Sequence, residues 1–189
     1  MNQQKPIKIL ALVGLAGSGK STAVDYLTEK KIPKVYFGGI IYKAMAEAGI
    51  EVTWDSQKEF REDIRAKEGK DFVVKRAIKE ARNLIDAGQR RIILDGLYSW
   101  SEYKILKHEF PGVMQVVAIV TPKQLRYKRM ENRAERPMTA DEVDQRDWAE
   151  IENIEKGGPI AIADYFVHND GTAEEFQSQI DKVCKEIDF

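Results

Sequence analysis

An apolar run, Ile7–Val13, passes directly into Gly14-Leu15-Ala16-Gly17-Ser18-Gly19-Lys20-Ser21, which satisfies the pattern G-x-x-x-x-G-K-[ST] in full. Glycines let the backbone turn tightly, so that several N–H groups point into one cavity where anionic oxygens accept them. Thr22-Ala23-Val24-Asp25-Tyr26-Leu27 then continues as a helix, whose N-terminal end turns positive charge toward the same cavity. Gly14, Ala16, Gly17, Ser18 and Gly19 supply the cradle. Lys20 reaches the outer phosphates of a polyphosphate, the Ser21 hydroxyl can ligate Mg²⁺, and Thr22 is the next polar group in reach. A turn that only joined a strand to a helix would not need Lys20 beside Ser21.

Four more short apolar runs follow: Lys34–Phe37, Arg91–Leu94, Val113–Val120 and Asp164–Val167. Charged segments with helical spacing separate them. Near-continuous apolar strands alternating with helices predict an α/β fold, a five-stranded parallel sheet flanked by helices in three layers. Helix starts are marked by capping-box patterns at Ser56, Ser99, Thr139 and Thr172, each with Glu three residues later. A helix from Asp71 carries Phe72, Ala77, Ile78, Ala81 and Ile85 at helical spacing, with Gly88 as its stop. All 189 residues read as one domain, with 1–6 as an N-terminal tail. The charged stretch 123–158, ending at Gly157-Gly158-Pro159, is either a small helical lid or a pair of solvated surface helices.

Composition narrows the partners. The formal net charge is −1, which offers nothing global to nucleic acid or to a membrane surface. No segment approaches the roughly 20 apolar residues of a membrane span. Cys184 is the single cysteine, so neither an internal disulfide nor a cysteine metal cluster can form. Met1–Lys5 lacks the apolar core of a signal peptide. The expectation is a cytoplasmic monomer or homodimer with a small-molecule partner.

Ile92-Ile93-Leu94-Asp95-Gly96 ends a strand on an acid. Beside a phosphate cradle such a carboxylate orients Mg²⁺ or its waters; alone, it would cap a turn. With both motifs in place the chain resembles the P-loop nucleotide kinases, the superfamily of adenylate kinase and dephospho-CoA kinase, and within it an adenylate-kinase-related family found widely in archaea. The resemblance takes in Phe37-Gly38, Ile64-Arg65-Ala66-Lys67-Glu68-Gly69, Leu94-Asp95-Gly96, Arg136, Arg146-Asp147 and the ending from Ile162 to Gly171. It implies the P-loop NTPase fold, ATP with Mg²⁺ as cofactors, and Ser21 and Asp95 at the metal. It also implies a substrate side near Gly38, Arg65 and Asp95.

Arg126, Arg129 and Arg133 recur at i, i+3 and i+7, roughly one helix face, and Arg136 and Arg146 follow. By resemblance Arg129 stacks on the nucleotide base, while Arg133, Arg136 and Arg146 neutralise the transferring phosphoryl group; otherwise these arginines form a solvated, ion-paired face. The usual monophosphate anchors are replaced by Gly39, Tyr42 and Ser99, with Lys43, Lys75 and Arg76 as possible substitutes. His108, His168, Trp54, Trp100 and Trp148 read as solvated or packing residues. Two functions stay open: ATP-dependent phosphoryl transfer to a nucleotide or nucleotide-like small molecule, and a nucleotide-binding switch that hydrolyses ATP without such an acceptor.

Overall fold

The structure is a computed structural model that describes residues 5–69 and 71–189, leaving out the side chains of 54, 55, 57, 58, 61, 62 and 65. Its five strands are β1 (Lys8–Val13), β2 (Lys34–Tyr36), β3 (Arg91–Asp95), β4 (Met114–Val120) and β5 (Tyr165–His168). They form one sheet in the order β2-β3-β1-β4-β5, every neighbouring pair parallel. The five predicted runs match these strands to within a residue or so at their ends.

Alternation along the strands divides the core in two. Ile9, Ala11, Val13, Ile92, Leu94, Val116 and Ala118 face one layer, made by α2 (Phe37–Glu47), α4 (Phe72–Asp86) and α5 (Trp100–Glu109). Leu10, Leu12, Ile93, Val117, Ile119 and Val167 face the other, made by α1 (Lys20–Glu29) and α9 (Ala173–Glu186). A sheet buried on both faces has no solvent side for polar residues, which is why the central strands read as unbroken apolar runs.

Local signals set the helix ends. Ser99, Thr139 and Thr172 each form the reciprocal capping box. Ser56 does not. It lies inside α3 (Trp54–Glu68), where its backbone N–H donates to Thr53 Oγ1 (3.1 Å) and Thr53 N–H donates to Ser56 Oγ (2.9 Å). The cap is therefore Thr53, because Ser56 is itself the residue three positions on that closes a box. Gly88 ends α4 at φ 92°, with Gly88 N–H bonded to Ile85 O and Gln89 N–H to Leu84 O, the Schellman pattern.

The sheet register brings the site together. Leu12 pairs with Asp95 across β1 and β3, and Tyr36 with Asp95 across β2 and β3. The C-terminal ends of three strands thus meet at one edge, the place where open α/β sheets bind ligands. Beyond β4, α6 (Lys123–Glu131) and α7 (Ala140–Ile154) pack together and lead through α8 (Gly157–Ala161) into β5. No helix among the described residues is long and apolar enough to cross a membrane.

Candidate active site

The loop from Gly14 to Gly19 wraps the end of β1, and its glycines are needed where it lies. Gly14, Gly17 and Gly19 have φ of 157°, 78° and 95°. A Cβ on Gly14 would stand 2.7 Å from Ile119 O, one on Gly17 2.7 Å from Arg126 O, and one on Gly19 would collide with Asn169 Nδ2. The loop is also held from outside by its carbonyls. Arg126 Nη1 donates to Ala16 O (2.9 Å), and Asn169 Nδ2 donates to Ser18 O (2.8 Å). Thr121 Oγ1 lies 3.0 Å from Ser18 O and 3.1 Å from Asn169 O and can donate to either. Carbonyls tied outward do not compete with the N–H groups for the cavity.

Lys20 opens α1, and its Nζ donates to Asp95 Oδ1 at 2.6 Å. The two side chains are 13 % and 9 % exposed, so the loop lysine and the strand-end acid form a mostly buried pair. Tyr98 lies beside them, with Lys20 Nζ 5.6 Å from its ring centroid. Burial first, and the Asp95 charge second, push the Tyr98 phenol up to about 12. Lys156, 3 % exposed, stands 4.8 Å from the same ring and donates to Glu150 Oε2 (2.7 Å). Arg146 Nε donates to the other oxygen of Glu150 (3.0 Å).

The predicted arginines separate into three groups. Arg126 is buried and makes a bidentate pair with Asp147, 3.1 and 2.6 Å, while it grips Ala16. It therefore braces the cradle against α7. Arg129 approaches Asn169 Oδ1 with Nη2 (3.4 Å), next to Gly19, and its Nη1 is buried with no partner. Arg133 and Arg136 lie exposed in the connection between α6 and α7, with Arg136 at φ 52°. Gly38 lies in the first turn of α2 against the ring of Tyr36, whose hydroxyl would stand 2.6 Å from a Cβ there. Arg65 is on α3, but its side chain lies outside the described residues. Arg76 is occupied by Glu47 (3.4 Å), Glu68 (3.5 Å) and the Phe72 ring, which ties helices together rather than facing a ligand. Trp100 stacks on Tyr103, His108 is exposed, and Trp148, expected to pack, is 61 % exposed.

Sequence reading missed Thr121, Tyr98, Glu150 and Lys156, and saw Asn169 only as part of a similar ending. None of them stands in a short motif. Their roles come from the segments after β3, β4 and β5 and from the end of α7, which meet only once the sheet has formed.

The donors fit a nucleoside triphosphate with Mg²⁺. Among the described residues no group of three or more His, Cys, Asp or Glu could hold a metal alone. A hard cation carried on phosphate oxygens needs only one or two protein oxygens, and the Asp95 carboxylate and Ser21 hydroxyl are of that kind. The cradle that Cβ atoms would fill and the orphaned Arg129 Nη1 suit an incoming anion.

A family model described as an AAA domain matches residues 10–157. A UPF0200 protein of Thermococcus kodakarensis is 31 % identical over 182 residues, spanning 95 % of this chain and 97 % of its own. Another, from Sulfurisphaera tokodaii, is 32 % identical over 187 residues, spanning 96 % and 98 %. Among solved structures, a shikimate kinase from Bacteroides thetaiotaomicron superposes with a TM-score of 0.60 at 10 % identity, over 96 % of this chain and 99 % of that one. A gluconokinase from Sinorhizobium meliloti gives 0.54 at 15 %, over 99 % and 98 %. The chain belongs to the UPF0200 protein family and is built on the fold of the P-loop kinases.

Proposed function

We propose that this protein transfers the terminal phosphoryl group of ATP·Mg²⁺ to a nucleotide or nucleotide-like small molecule. The observation that carries the reading is the Lys20–Asp95 pair at the mouth of a cradle gripped through Ala16 O and Ser18 O. Phosphoryl transfer demands positioning and charge neutralisation more than a covalent catalyst. Lys20 takes the β/γ-phosphate oxygens, and Ser21 and Asp95 hold Mg²⁺, which neutralises phosphate charge when bound. Arg129 lies toward the base side, while Arg146, with Arg133 and Arg136 on a closing lid, meets the transferring group. An acceptor oxygen forms its bond to the γ-phosphorus as the bond to the β,γ-bridging oxygen breaks. ADP leaves with that electron pair, and a hydroxyl acceptor's proton goes to solvent.

The acceptor lies toward Gly38, Arg65 and Tyr98, on the β2 and β3 side of Asp95. The like-folded shikimate kinase and gluconokinase support a small-molecule acceptor. The test is incubation with ATP·Mg²⁺ and a panel of nucleoside monophosphates, nucleosides and dephospho-CoA. One phosphorylated acceptor is expected. Hydrolysis that no acceptor alters would overturn the kinase reading in favour of a nucleotide-dependent switch.

A further inference from the structure

The Lys156–Glu150–Arg146 chain has no assignment in the chemistry above beyond Arg146 itself, yet it is the most deliberately built feature near Lys20. Glu155 turns the chain out of α7 at φ 53°, and Lys156 N–H donates to Glu150 O at 3.1 Å. Two residues on, Gly158 lies so close to Trp100 that a Cβ would stand 2.9 Å from the indole. That contact seats the start of α8 against α5 and brings Lys156 over Tyr98, two residues before Trp100. A lysine 3 % exposed is expensive to maintain unless it is paired.

Charge counting shows what the pairing leaves. The Lys20 charge is answered by Asp95. One carboxylate, Glu150, lies between two cations, Lys156 on Oε2 and Arg146 on Oε1. One positive charge remains over, and it falls on the accessible member, since Arg146 is 42 % exposed. Glu150 holds Arg146 by Nε, and Nη1 donates only to the thioether sulfur of Met138 at 3.8 Å, a weak acceptor that a phosphoryl oxygen would displace. A guanidinium fixed at its inner nitrogen presents its terminal nitrogens as a fork for phosphoryl oxygens.

Resting on the kinase reading, we propose that Lys156 and Glu150 are positioning residues for phosphoryl transfer: clamped on Tyr98, they fix Arg146 so that its terminal nitrogens meet the group held by Lys20. Their contribution then appears in the transition state and vanishes when Arg146 is absent.

The experiment is a double-mutant cycle on the full chain with Lys156→Met, Arg146→Ala and both together, and with Glu150→Gln as a second, size-conserving variant. The dissociation constant of ATP·Mg²⁺ is measured by calorimetry, and kcat with the acceptor from the panel. Lys156→Met and Glu150→Gln are each expected to lower kcat about tenfold while ATP·Mg²⁺ affinity stays within about twofold. The double variant should be no slower than Arg146→Ala alone. Losses that multiply, or that appear only in ATP·Mg²⁺ affinity, overturn the positioning role and leave the kinase reading intact. A wild-type protein that binds ATP·Mg²⁺ but phosphorylates no acceptor overturns both.

Discussion

Lys20 Nζ lies 2.6 Å from Asp95 Oδ1, so the loop lysine and the strand-end carboxylate neutralise each other across β1 and β3. The pair keeps two mostly buried charges satisfied. Both partners have better-suited ligands in a nucleotide complex: phosphate oxygens for the ammonium, a hard cation for the carboxylate. On the proposed function, binding would exchange one pair for two, and the sheet register that places Asp95 opposite Leu12 sets where the carboxylate stands.

Lys20→Ala removes the ammonium and leaves Asp95 without its partner. Turnover should fall on the order of 10²-fold or more, as when a preorganised charge at a developing anion is deleted. Retention of full transfer activity by Lys20→Ala would remove the basis of the assignment. Asp95→Asn should instead weaken the response to Mg²⁺, seen as a higher Mg²⁺ concentration for half-maximal turnover.

Gly19→Ala should abolish tight ATP binding. Its Cβ meets the amide of Asn169, and φ 95° strains any L-residue. Removing the obstacle with Asn169→Ala relieves the collision but not the dihedral, and it leaves Ser18 O held by Thr121 Oγ1 alone. The double variant should therefore bind ATP more weakly than wild type in calorimetry. Wild-type affinity in Gly19→Ala would show that the loop relaxes in a way this geometry does not allow.

Much of this was legible in the chain. The five strands, the cradle, Lys20 and Asp95 each announce themselves within a few consecutive residues, because strand burial and tight turns are local requirements. The arginines were only half legible. Spacing put Arg126, Arg129 and Arg133 near one helix face, but Arg126 turned out to brace the loop through Ala16 O and Asp147. A charged side chain at helical spacing carries no mark of whether it will be buried. Lys156 and Glu150 carry no mark for a related reason: Arg146 and Glu150 four apart on α7 look like any surface pair, and the distant partner, Tyr98, is brought to Lys156 only by the close approach of Gly158 to Trp100.

The Arg126–Asp147 pair should show the asymmetry of buried ion pairs. Deleting one partner, as in Asp147→Ala, leaves an unpaired buried guanidinium and should cost about 3–5 kcal/mol of stability. Arg126→Met leaves the buried Asp147 carboxylate unpaired and should cost a similar amount, but it alone also removes the donor to Ala16 O, and so should weaken ATP binding more than Asp147→Ala does. Denaturant unfolding and calorimetry on the two variants separate these effects. Equal loss of ATP affinity in the two variants would argue against a bracing role.

Acid stability offers a test of Glu150 that needs no substrate. Burial would raise this carboxyl, but the charges and hydrogen bonds of Lys156 and then Arg146 outweigh it and hold the group below its ordinary 4.5. The Lys156 pKa is lowered as well, which for a cation means that its charged form is disfavoured: burial outweighs the same carboxylate, with Arg146 and Lys20 adding like charge. The asymmetry is physical: one acid serves two cations, so the acid gains more than the buried lysine does. A carboxylate with a depressed folded value gives stability that is complete above 4.5. That stability is lost as pH falls through the lower folded value, where the native state must take up a proton the unfolded chain already holds. The melting temperature of the wild type should therefore drop more steeply below this point than that of Glu150→Gln, which has no such proton to gain. Parallel curves for the two proteins through that window would mean that Glu150 is no better stabilised in the folded chain than in water, and the clamp on Arg146 would lose its anchor.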